Sequence, residues 1–339
     1  MRALLSRLPI DAYIASILGM VALASALPAE GPGMTVASWA GTAAIALMFF
    51  LQGARLAPQA ALAGARHWRL HAVVLGSTFL VFPMLGLTMR AIAPGLLTPP
   101  LWGGVLMLCL LPSTVQSSIA FTSIARGNVA AAVCSASLSN LIGVVLSPLL
   151  VSLLLGANAR VSGSSMLDVA AQLLLPFIAG QLARPRIAPA LKRHPRVLAT
   201  VDRGSVLIVV YTAFGEGVVA GIWHRVSWQQ LVTLGVIDIA LLAVVLTTSS
   251  VGGRMLGFER GDRIAAVFCG SKKSLASGLP MATLLFPAAT VSTIVLPLML
   301  FHQIQLFACA ALSKRYARQE VAPAARTTSQ TTAVLSLES

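Results

Sequence analysis

Charge is what this sequence has least of. Asp, Glu, Lys and Arg make up 10% of its 339 residues, against about 25% in a soluble globular chain. With 57% hydrophobic residues and a mean hydropathy of +0.86, an ordinary soluble domain is excluded and the lipid bilayer becomes the first partner. Acids are scarcer than bases, 10 against 24, for a net charge of +14. In a soluble chain that excess would point to nucleic acid. In a chain this apolar it is the cytoplasmic-loop bias of a membrane protein, and nucleic acid drops out as a partner. Cysteines are few: Cys109, Cys134, Cys269 and Cys309, all inside apolar segments. That excludes a disulfide framework and a metal knuckle, and leaves them as core filling. Also missing are His-Glu-x-x-His, Gly-x-Ser-x-Gly and a Walker loop. An enzyme is not expected, no cofactor is called for, and any transport is driven by gradients.

What is present is a series of long apolar runs. A span needs about 20 mainly apolar residues, and ten candidates meet that: 9–28, 35–53, 70–89, 101–125, 129–155, 167–183, 204–223, 229–252, 263–286 and 288–312. The first mimics a cleavable secretory signal, with Arg2 and Arg7 ahead of an apolar run ending Ala24-Ser25-Ala26. Asp11 at the start of the run argues for a retained helix. The segment 314–339 is rich in Ser, Thr and Ala, has no apolar period long enough to pack, and reads as a disordered cytoplasmic tail.

The basic residues set the orientation. With the N-terminus inside, 19 of the 24 fall in inner segments, the largest of them Arg184 to Arg203, and three fall outside: Arg90, Arg160 and Arg225. The last two, Lys272 and Lys273, sit within a span. This bias places both termini in the cytoplasm.

Ten spans with both ends inside divide five and five, and an odd number per half turns the halves upside down. That is the plan of an inverted repeat. The fourth span of each half is interrupted. Span four carries Pro112-Ser113-Thr114-Val115-Gln116-Ser117-Ser118, and span nine carries Gly270-Ser271-Lys272-Lys273-Ser274, followed by Ser277, Gly278 and Pro280. Paired broken segments at corresponding positions are the best sequence pointer to a transporter's binding site. Arg126-Gly127-Asn128 and Arg260-Gly261-Asp262 look alike but are not equivalent under this division. They read as inner-face helix starts, with Asn128 and Asp262 as N-caps.

The run PSTVQSSIAFTSIARGNVAAAVCSASLSNLIGVVLSPLL at 112–150, FCGSKKSLASGLPMA at 268–282 and LPLMLFHQIQ at 296–305 resemble the bile acid:sodium symporter superfamily, in its bacterial symporter-like branch, which also holds a vertebrate homologue. The resemblance implies an all-α polytopic membrane protein of ten transmembrane helices in two inverted five-helix repeats, with helices four and nine broken and crossing. Spans one, two, six and seven would form a panel domain, and spans three, four, five, eight, nine and ten a core. In sodium-coupled members the crossing binds two sodium ions beside an organic anion. Here the family's Ser-Asn pair falls on Ser117 and Ser118, a span-three glutamine falls near Thr78, and the acidic chemistry of the second break is replaced by lysines. A hard cation wants oxygen ligands and nearby negative charge, so sodium coupling is put in question and sodium or proton is left open.

Lys272 and Lys273 carry two readings. Ser271, just before Lys272, lies roughly 12 Å along a helix from Arg263, at 1.5 Å per residue, so Lys272 can snorkel to the inner face. The favoured reading is a role at membrane depth, because charge there marks function. There a lysine stands in for a coupling cation, or exchanges a proton once desolvated. Either pairs naturally with an organic anion, helped by half-helix N-termini. Ser113, Thr114, Gln116, Ser117, Ser118, Ser135, Ser137, Asn140, Ser271, Ser274 and Ser277 are assigned to the crossing, although any one serine can simply bond back to its own helix. Asn140 is the foremost of them. His302, Gln303 and Gln305 on span ten offer a relay, a substrate contact or plain interhelical hydrogen bonds. Glu216 between Gly215 and Gly217, and Asp238, are the mid-span acids that can neutralise a lysine. The expected function is secondary transport of an organic anion by alternating access, with a non-transporting regulator or scaffold on the same fold as the alternative.

Overall fold

The computed structural model describes residues 12–55, 67–155, 163–219, 221 and 226–335. Asp11, Arg2, Arg7, Arg66, Arg160 and Arg225 lie outside the described residues. The apolar runs form helices, as a bilayer demands of backbone that must satisfy its own hydrogen bonds. In chain order these are α1 (Ala12–Ala26), α2 (Pro32–Arg55), α3 (Trp68–Ile92), α4 (Pro99–Leu110), α5 (Val115–Ile124), α6 (Val129–Leu155), α7 (Gly163–Arg193), α8 (Pro195–Val219), α9 (Trp228–Met255), α10 (Arg260–Gly270), α11 (Leu275–Leu285) and α12 (Ala288–Leu335). Among the described residues there is no strand.

Six of these helices, α2, α3, α6, α8, α9 and α12, are long and apolar enough to cross a membrane. The pair α4–α5, bent by 62° at Leu111–Thr114, makes a seventh. The protein is therefore a multi-pass helical membrane protein. The other predicted spans are helical but, among the described residues, do not meet the combined length, hydropathy and charge limits of a span. α1 has 15 residues, α7 contains Pro176, Pro185 and Pro189, and α10 and α11 are separated by the two lysines.

Three expectations need correction. The inner loop Arg184–Arg203 is almost wholly helical, with only His194 between α7 and α8. Pro195 stands at the first position of α8, where a missing N–H costs nothing. Asp262 is not an N-cap: Glu259 holds that position, and Asp262 sits three residues further on. The segment from 314, read as a disordered tail, continues α12 as helix through Leu335. Its start is anchored, since Arg260 donates to the Tyr316 carbonyl at 2.6 Å and the Tyr316 ring meets Phe268 edge-on at 6.1 Å.

Asn128 does cap α6, its Oδ1 accepting from the Ala131 N–H at 3.0 Å. The two Arg-Gly-Asx segments turn out to face each other. Asn128 N–H donates to the Gly261 carbonyl at 3.0 Å, and Asn128 Nδ2 donates to Asp262 Oδ1 at 2.7 Å.

Helices α1, α2, α7 and α8 pack on one another. The α2–α7 contact is backbone to backbone: a Cβ on Gly53 would overlap the Phe177 carbonyl, and one on Gly180 the Phe50 carbonyl. Small residues are what let membrane helices approach this closely. At Gly217 a Cβ would run into Ser292 of α12, while at Gly215 it would meet nothing nearer than 3.9 Å. Close packing beside Glu216 is therefore confined to the Gly217 side.

Candidate functional site

The breaks have local causes. Pro112 has no N–H to give, and the Ser113 N–H goes to Ser139 Oγ at 3.1 Å rather than back to Cys109. The carbonyls at the end of α4 are thus freed. The second break, Ser271–Ser274, lies against the first. Ser274 N–H donates to the Pro112 carbonyl at 3.0 Å, and Thr114 Oγ1 to the Lys273 carbonyl at 2.8 Å. Ser113 and Ser118 donate to the carbonyls of Cys269 and Phe268 at 2.6 and 3.1 Å. Small hydroxyls here do the work of the missing helical N–H groups.

Lys273 closes this crossing. Its Nζ lies 2.8 Å from each of three carbonyl oxygens, those of Thr78, Cys109 and Leu111, and 4.2 Å from the centre of the Phe82 ring. An ammonium has three protons, so it is fully used. The Thr78 carbonyl is free because α3 is π-helical over Ser77–Val81. There the Phe82 N–H goes to Ser77, and the next candidate donor, residue 83, is a proline. π-bulges of this kind recur at functional sites. Carbonyl oxygens converging on one point are also the ligand set of a hard cation.

The Lys273 backbone is gripped by one amide. Gln305 Oε1 accepts the Lys273 N–H and Gln305 Nε2 donates to the Lys273 carbonyl, both at 2.9 Å. Those two bonds orient the amide, so its remaining N–H points to His302 Nδ1 at 2.9 Å. His302 accepts there and carries its proton on Nε2.

Lys272, beside Lys273 in the same unwound segment, points elsewhere. Its Nζ sits 4.1 Å over the Phe121 ring and has no hydrogen-bond partner. Both lysines are 0% exposed, which overturns the snorkelling reading. Neither mid-span acid is ion-paired to them. Asp238 is fully buried with both oxygens unpartnered, and Glu216 is half-buried on α8.

Beside the crossing lies a cavity of about 180 Å³. Thr114, Gln116, Ser137, Asn140, Ser274 and Ser277 line it from one side, and Gln52, Arg55 and Asp202 from α2 and α8. Asn140 joins the two sides. Its Oδ1 accepts from Ser277 Oγ at 3.2 Å, and its Nδ2 reaches Gln52 Oε1 at 3.4 Å.

Other candidates lie apart from this space. Ser113 and Ser118 are spent inside the crossing, and Thr78 Oγ1 donates back to the Val74 carbonyl of its own helix. Ser117 and Ser271 have buried, unpartnered hydroxyls. Ser135 meets His71 Nδ1 at 2.8 Å. Gln303 turns into an apolar groove with Leu18, Phe214 and Trp228. Gln52, Arg55 and Asp202 were missed from the sequence, where Arg55 counted only as an inner-face charge. A signal existed: Gln52 and Arg55 are three apart and share a face, and Asp202 is a rare acid in the most basic stretch of the chain.

The profile of the SBF-like CPA transporter family matches residues 11–318. The chain belongs to this family. Among its relatives, an uncharacterized protein of Pseudomonas aeruginosa is 51% identical over 91% of this chain and 93% of its own. A protein of Escherichia coli named "Putative symporter YfeH" is 50% identical over 91% and 94%. A Xenopus laevis protein named sodium/bile acid cotransporter 7-A is 27% identical over 89% and 90%. This is a family of transporters and not of enzymes.

Proposed function

We propose that this SBF-like CPA transporter family member is a secondary transporter of a small organic anion in the bacterial inner membrane. It has ten spans in two inverted five-helix repeats and both termini in the cytoplasm. α4–α5 and α10–α11 are the paired broken spans. α1, α2, α7 and α8 form the panel, and the remaining helices form the core that rocks against it. The observation that carries this reading is the Lys273 ammonium held by three backbone carbonyls where two broken helices meet, next to a polar cavity. A fixed positive charge occupies the kind of oxygen cage a coupling cation would need, so substrate binding does not wait for sodium. The cavity opens between panel and core, where rocking changes its access.

Uptake of a panel of carbon-14 organic acids into proteoliposomes, with sodium replaced by potassium, tests this. Uptake of at least one acid is expected, at a rate that sodium does not change. Lys273→Ala is expected to abolish it. Full uptake by Lys273→Ala would sink the fixed-charge role. A strict sodium requirement would show that a separate cation site exists.

A further inference from the structure

One charged side chain in the cavity wall has unmet bonding capacity. Arg55, at the end of α2, gives a single hydrogen bond from Nη1 to Asp202 Oδ2 at 3.1 Å. Its Nε and Nη2 are shielded from solvent and have no partner. Leaving buried donors unpaired is costly, on the order of 1–3 kcal/mol each. Nε and Nη2 share one edge of a rigid planar fork, the edge that takes both oxygens of a carboxylate at once. Arg55 lines the cavity, and carboxylate binding there requires its flexible side chain to turn that edge inward.

The charge balance narrows the ligand. Arg55 and Asp202 offset each other within one pair. The Lys273 ammonium is not part of the cavity wall and is spent on three carbonyls. What remains in the wall is therefore partial: the first turns of α5 and α11, at Val115, Gln116 and Ala276, line the cavity, each helix N-terminus carrying roughly half a positive charge. Thr114 does not cap α5 with its side chain, because its hydroxyl is committed to Lys273. A residual of about one positive charge suits a monoanion better than a dianion. The volume, about 180 Å³, is below the roughly 300–1,000 Å³ of sites for drug-sized ligands.

We infer that Arg55 is a substrate-binding residue that takes the carboxylate of a small monocarboxylic acid on its Nε–Nη2 edge, and that Asp202 restrains its affinity by competing for the same guanidinium. The inference rests on the organic-anion reading and specifies its anchor. It also separates two variants by sign, since removing Arg55 and removing the Asp202 charge have opposite effects on the same ligand.

The test is thermal stability of the purified, detergent-solubilised protein with 20 mM of several small hydroxy- and aromatic monocarboxylates, each beside its primary amide. At least one acid is expected to raise Tm while its amide does not. That shift is expected to vanish in Arg55→Ala, and to be reached at several-fold lower acid concentration in Asp202→Asn, which keeps an oxygen for Nη1. An undiminished acid shift in Arg55→Ala overturns the inference and leaves the anion reading standing. So does an acid shift weakened equally in both variants, because that marks the pair as structural only. No acid shift in wild type, together with no uptake in proteoliposomes, overturns both. Uptake without any carboxylate shift overturns the inference alone.

Discussion

Lys272 and Lys273 are adjacent, equally buried and unlike. Lys273 satisfies three carbonyls that have no other donor, so Lys273→Met strands them, at about 1 kcal/mol or more apiece. Lys272 bonds to nothing and only overlies Phe121. Replacing a buried, poorly compensated charge by an apolar residue of similar length is often neutral or stabilising. Thermal unfolding in detergent is expected to show a clearly lowered Tm for Lys273→Met and an unchanged or raised one for Lys272→Met. Equal losses in the two variants would refute the difference. Gln305→Leu removes the amide that grips both backbone groups of Lys273 and is expected to cost about 1–3 kcal/mol, with uptake falling as well. Gln305→Glu, which keeps an acceptor but loses the donor, is expected to fall between Leu and wild type.

At the scale of the element, α2 and α7 depend on two glycines. Gly53 and Gly180 each lie against a carbonyl of the facing helix, so neither has room for a Cβ and a backbone has to move. Gly53→Val and Gly180→Val are expected to lower Tm by several degrees and to reduce folded yield, read by size-exclusion chromatography. Gly76, whose added Cβ would meet nothing within 4 Å, is the control, and Gly76→Ala is expected to leave Tm within a degree or two of wild type. The interrupted helices are governed differently. Their ends are held by serine hydroxyls and by one lysine in place of backbone N–H groups, and for that reason they stay bent inside protein rather than straightening in lipid.

At the scale of the molecule, the prediction concerns relative motion. Gln52 and Asn140 touch across the cavity, one on α2 and the other on α6. If the helices carrying them move apart during the cycle, a disulfide between Gln52→Cys and Asn140→Cys stops uptake and a reductant restores it. Uptake that continues with the bond formed would refute rocking across this surface. The orientation is checked by Lys314→Cys, exposed just beyond the apolar part of α12. It is expected to resist an impermeant maleimide in intact cells and to react after permeabilisation.

The sequence alone determined the solvent, the helical class and the positions of both breaks. Hydropathy, basic-residue bias and the Pro-Ser and Gly-Ser-Lys-Lys interruptions are local or additive properties, readable without a fold. It also singled out the Lys272–Lys273 pair, Asn140 and Ser277, because polar groups in apolar runs stand out against their neighbours. Only the tertiary structure decided which lysine is engaged, since that depends on carbonyls 162 to 195 residues away. It likewise decided that Gln303 faces an apolar groove while Gln305 braces the crossing. The same holds for Arg55: at a helix end it is one inner-face charge among many, until folding sets it across from Asp202, 147 residues on. Charge and periodicity belong to the chain, whereas the partner that gives a side chain its role is supplied by packing.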